Sequence, residues 1–147
     1  MKRSDLTIPA IIIDTVTAVC LLVYIALQVF YGLYYHVSPS GYLLNVAIVL
    51  LIFGALSYLL TIPEVLNHLA PDQCVGKIRE YSLGLLRMAR FIFLAGLLIP
   101  CVCDALNIGI RSSYSGIVVL LLIAVVLYYE SKIINELRNS DDHKDED

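Results

Sequence analysis

The chain has 147 residues, enough for one domain, and its 59% hydrophobic content and mean hydropathy of +0.82 lie far outside the range of soluble globular proteins. Its formal net charge of -3 argues against a nucleic-acid partner. Together these values predict an all-α integral membrane protein, because lipid cannot satisfy exposed backbone groups and the period-2 alternation of a membrane barrel is absent.

Four apolar runs predict a four-transmembrane-helix bundle with spans at about 8–35, 42–62, 83–107 and 114–135, a single domain over 1–138. The first run, "TIPAIIIDTVTAVCLLVYIALQVFYGLYYHV", far exceeds the roughly 7–15 apolar residues of a cleaved leader and is expected to stay attached. It holds one acid, Asp14, some five residues past Pro9. An ionisable group within a span costs about 2.5–3.5 kcal/mol at the bilayer centre, and less near an edge. Three readings follow. Asp14 is held by pairing with Arg87 or Arg90 or by headgroup water, it serves as a proton or cation relay, or it contacts a partner protein.

After the turn "YYHVSPSG", the second run folds back as an antiparallel partner of the first. Gln28 and Asn45, on the two arms, are candidate interhelical polar contacts, since each prefers a partner to lipid. The run ends at "TIPEVLNHLAPD", where Glu64 and His68 form a solvated i, i+4 pair. Residues 72–90, "DQCVGKIREYSLGLLRMAR", place Val75, Ile78, Ser82, Leu85 and Ala89 on one stripe among charged neighbours. This pattern predicts a cytoplasmic amphipathic helix between spans 2 and 3, with Lys77, Arg79, Arg87 and Arg90 as candidate contacts to anionic inner-leaflet headgroups.

Within the third run, Pro100 deprives the Gly96 carbonyl of its helical donor, so a bend is expected. Cys101 and Cys103, at i and i+2, point about 200° apart on a helix, so a redox pair is expected only where Pro100 opens the helix locally. His36, Cys101, Cys103 and Asp104 lack any recognised ligand spacing, so no metal or cofactor is expected. The fourth run, "IVVLLLIAVVLYY", continues as a helix through "ESKIINELRN" into a disordered acidic tail at 139–147.

Lys2, Arg3, Lys77, Arg79, Arg87, Arg90, Lys132, Arg138 and Lys144 fall on one side of this layout and only Arg111 on the other. Both termini and the 63–90 segment are therefore expected in the cytoplasm, with the chain in the plasma membrane. The motifs His-Glu-x-x-His and Gly-x-Ser-x-Gly are absent, so no catalytic residue and no enzymatic activity are expected. The scarcity of buried polar groups points to a non-enzymatic accessory subunit docking a larger membrane or cytoplasmic partner. The alternative, from a different class, is a small transporter or channel subunit, a homo-oligomer that uses Asp14 for proton or cation coupling.

Overall fold

The computed structural model describes residues 7–34, 39–66, 74–111 and 113–142. These form four helices, α1 Ile8–Tyr34, α2 Pro39–Leu59, α3 Gly76–Ala105 and α4 Tyr114–Asp142, with a short 3-10 turn at Pro63–Val65 and no strand among the described residues. All four are long and apolar enough to cross a membrane. At about 1.5 Å per residue even α2 covers roughly 30 Å.

Local chemistry sets the helix ends. Pro9 and Pro39 sit in the first turns of α1 and α2, where a missing backbone N–H costs nothing. At the other end of α3, Asn107 takes a left-handed φ of 54°; the Ile108 N–H then donates to the Cys103 carbonyl at 2.8 Å and the Asn107 N–H to the Asp104 carbonyl at 3.1 Å. That reversal closes the helix and satisfies two carbonyls that would otherwise lack donors. Pro100 lies inside α3, which stays helical through it to Ala105.

Helix directions follow from which residues meet. Side chains joining α1 to α3 lie 70 to 76 positions apart all along the pair, so these two helices run parallel. On α4, Glu136 meets Lys77 near the start of α3, while Tyr129 faces Gly84 and Val118 faces Gly96, so α3 and α4 run antiparallel. The result is an up-down-up-down order with α3 at the centre, packed chiefly on α4 and α1.

The α1 surface facing α3 repeats at alternating intervals of four and three through Ala10, Asp14, Thr17, Leu21, Tyr24, Gln28 and Tyr31, none of which is fully exposed. This is the spacing of a helix seam that stays in register with a neighbour. Tyr24, Val49 and Leu94 join α1, α2 and α3 in one core cluster, while Leu60, Leu83 and Leu86 form a second below it. α4 turns a half-buried stripe through Val118, Leu122, Val125 and Tyr129 to the buried Ile133 and leaves Leu120, Leu127 and Ile134, seven residues apart, 60% or more exposed.

The amphipathic stretch runs directly into the third apolar run, as the sequence pattern predicts, and from Gly76 it forms the first turns of α3; among the described residues it is the most buried part, with Ile78, Ser82, Leu83, Leu85, Leu86, Arg87 and Arg90 all buried. Val75, assigned to its apolar stripe, is instead exposed. The charges at 87 and 90 turn inward because α1 offers them a carboxylate. α4 extends through Asp142, three residues beyond Asn139, and the remaining charged end at 143–147 lies outside the described residues.

Close approach of α4 to α3 depends on Gly96, where an added Cβ would stand 2.7 Å from Val118 Cγ1. Gly96→Leu is therefore expected to destabilise the fold by about 1–3 kcal/mol, read as a lowered unfolding midpoint in detergent micelles. Gly54→Leu, with nothing within 4 Å of its Cβ position, should stay within about 0.5 kcal/mol of the parent.

Candidate functional site

Asp14 stands on the α1 seam in the second turn, and Arg87 and Arg90, three residues apart, share the face of α3 opposite it. Arg87 Nε donates to Asp14 Oδ2 at 3.2 Å and Arg90 Nη2 to Asp14 Oδ1 at 2.5 Å. The third helix joins through Ser57: Arg90 Nη1 donates to Ser57 Oγ at 2.9 Å, and that hydroxyl donates onward to the Phe53 carbonyl at 2.7 Å. The Arg90 guanidinium also lies over the Phe53 ring, 4.9 Å from its centroid. One carboxylate thus ties α1, α2 and α3 together.

The arginine side chains are only 7% and 9% exposed, and that of Asp14 is 25% exposed. Two guanidiniums on one carboxylate leave the cluster with a formal charge of +1. Among the described residues, Arg90 Nε is a buried side-chain nitrogen with no hydrogen-bond partner. The chemistry available is limited. A cation approaching Asp14 meets two fixed positive charges, and the Ser57 hydroxyl lies between an arginine and a carbonyl, with no base to activate it. The arrangement behaves as a clasp between helices.

Lys77 and Arg79 lie outside this cluster. Lys77 Nζ reaches Glu136 Oε1 of α4 at 3.1 Å, and Arg79 Nη1 approaches Glu64 Oε2 beside the 3-10 turn at 3.9 Å. The Lys77 side chain is 67% exposed, so water screens its pair with Glu136 and the pair contributes little. A cavity of about 420 Å³ lies between these residues and Arg87, but its basic side chains face Glu80 on the same wall as well as their own acidic partners. The four basic residues named from sequence thus all have carboxylate partners within the protein.

Gln28 Nε2 donates to Cys101 Sγ of α3 at 3.5 Å, and Tyr31 Oη donates to the Cys101 carbonyl at 3.0 Å. Gln28 and Asn45 line one cavity, but Gln28's bond is to α3. Cys20, Cys74, Cys101 and Cys103 are free thiols, and no three His, Cys, Asp or Glu side chains converge on a metal position among the described residues. His36 and His68 fall outside those residues.

Cys74, just before α3, is buried. Burial pushes its thiol up, the Glu64 carboxylate adds to this, and Arg79 and a Ser82 hydrogen bond offset part of it. Less thiolate forms at a given pH than for a free cysteine, so Cys74 should alkylate slowly near pH 7 and accelerate only above the ordinary thiol range. Mass-spectrometric counting of modified Cys74 across a pH series checks this.

Ser57 and Phe53 are the members of the clasp that sequence reasoning did not assign to it. No family model, curated protein or solved structure matches the chain.

Proposed function

We propose that the chain is a four-span membrane protein of the plasma membrane, with both termini and the start of α3 in the cytoplasm. It acts as a non-enzymatic accessory subunit that docks a larger membrane partner. The observation that carries this reading is the use of the interior charges: Asp14, Arg87 and Arg90 are spent on one another and on Ser57. The surface left for other molecules is apolar on α1, α2 and α4 alike, and on α4 it carries Leu120, Leu127 and Ile134 in line. The excess of lysine and arginine around the chain ends and the 63–90 segment supports the orientation. In this setting the first turns of α3, with the exposed Lys77, meet the inner headgroups, while Arg87 and Arg90 are committed to Asp14.

A proton or cation relay at Asp14, in a homo-oligomeric transporter, is the poorer reading because the clasp is formally positive. The test is native mass spectrometry of the tagged chain purified gently from its own membrane, as parent and as Leu120→Ala/Leu127→Ala/Ile134→Ala. A stoichiometric foreign partner that the triple variant releases, with the variant still folded, supports docking through α4. A homo-oligomer with no foreign partner, joined to proton-coupled flux lost in an Asp14→Asn variant of unchanged abundance and fold, overturns it.

A further inference from the structure

At the opposite end of the α1–α3 seam from the clasp, a cavity of about 460 Å³ opens between α1, α2 and α3. Its volume suits a small organic ligand. Asp104 supplies a carboxylate to its lining; no lysine, arginine or histidine lines it among the described residues. Asp104 is exposed, in the last turn of α3, and makes no ion pair within the described residues. An acid in that position opposes the helix dipole, and a cation beside it relieves the conflict.

Two aromatic rings complete the wall, each held in place by a specific contact. Tyr31 is held by its hydroxyl's bond to the Cys101 carbonyl and by an edge contact of its ring with Phe30, ring centroids 6.0 Å apart. The Tyr42 ring is seated against the backbone of Gly32, where an added Cβ would stand 2.5 Å from Cδ1, so only glycine admits the ring at this depth. Gln28 and Asn45 add amide groups, and the Gln28 nitrogen is already directed to Cys101 Sγ. Ring faces and a carboxylate attract a large, weakly hydrated cation. One carboxylate is too few for a calcium or magnesium ion, which needs about six oxygen ligands.

We propose that this cavity binds an organic ammonium group, with the nitrogen at Asp104 and the apolar body against Tyr31 and Tyr42. The inference is independent of the docking role. Such a group is carried by a free amine or by an aminated lipid headgroup, and both present the same chemistry to the cavity.

The probe is radiolabelled phenethylammonium, in equilibrium dialysis against the full chain in a non-ionic maltoside, with neutral 2-phenylethanol as competitor. Saturable one-to-one binding is expected, weakened about tenfold or more in Asp104→Asn, restored in Asp104→Glu and weakened several-fold in Tyr42→Leu. Circular dichroism and elution volume establish that each variant is folded; Asp104 is exposed, so its replacement leaves the core intact. The proposal is overturned by no saturable binding up to about 10 mM, by equal competition from the alcohol, or by unchanged affinity in folded Asp104→Asn. Repeating the assay in nanodiscs separates the sources. Loss of probe binding when phosphatidylethanolamine replaces phosphatidylglycerol identifies a lipid headgroup as the occupant, and equal binding in both identifies a free amine.

Discussion

Asp14→Leu is expected to destabilise the protein by about 3–5 kcal/mol, the usual cost of removing one side of a buried ion pair. The loss arises less from the vanished attraction than from what stays behind. Arg87 and Arg90, both buried and side by side on α3, would face an apolar α1 surface with no carboxylate to balance them. Asp14→Asn should cost nearly as much, because the amide keeps the shape but removes the charge and replaces an acceptor with a donor. The measurement is an unfolding curve of purified protein in mixed micelles, with steady-state abundance in the membrane as the cellular readout. Unchanged stability in Asp14→Asn would mean that the carboxylate does not hold the three helices together.

Replacing the two arginines should give unequal results, and the order is the sharper test. Arg90→Leu removes the bond to Ser57 and the contact with Phe53 as well as half of the hold on Asp14, so a loss of about 3 kcal/mol or more is expected. Arg87→Leu leaves one carboxylate facing one guanidinium, with Arg90 still bound to Ser57. The cluster then loses its excess positive charge, which offsets much of the lost bond. Its expected cost is about 1 kcal/mol or less. Unfolding midpoints of the two variants, taken in the same detergent, give the ranking directly. A larger loss at position 87 than at 90 would contradict the arrangement described.

Hydropathy made four long helices legible, because length and continuous apolar sequence are all that a membrane-compatible helix requires. The seam on α1 was harder to see. Its four-and-three spacing runs through Thr17, Leu21 and Tyr24 in a stretch whose other residues are equally apolar, so no change of polarity marks the packed side. Arg87 and Arg90 illustrate the opposite limit: their charge suggested a wet boundary, whereas their burial depends on an acid more than 70 positions away. Depth along the helices was readable and placed Asp14 and both arginines near the same level. Ser57 carried no comparable signal, since a serine within an apolar helix ordinarily bonds its own preceding turn, and this one does so as well as accepting from Arg90.

The parallel pairing of α1 with α3 also bears on how the chain is made. Asp14 leaves the ribosome long before Arg87, 73 positions later, a delay of several seconds at about 5–20 residues per second. In the membrane setting proposed above, the nascent α1–α2 hairpin would during that interval have its acid but no guanidinium to neutralise it, and α1 alone would bear the insertion penalty of an unpaired carboxylate. Emergence of the third helix would then be the step that commits the first to its place, and a chain interrupted before residue 87 would present quality-control machinery with an orphaned intramembrane charge.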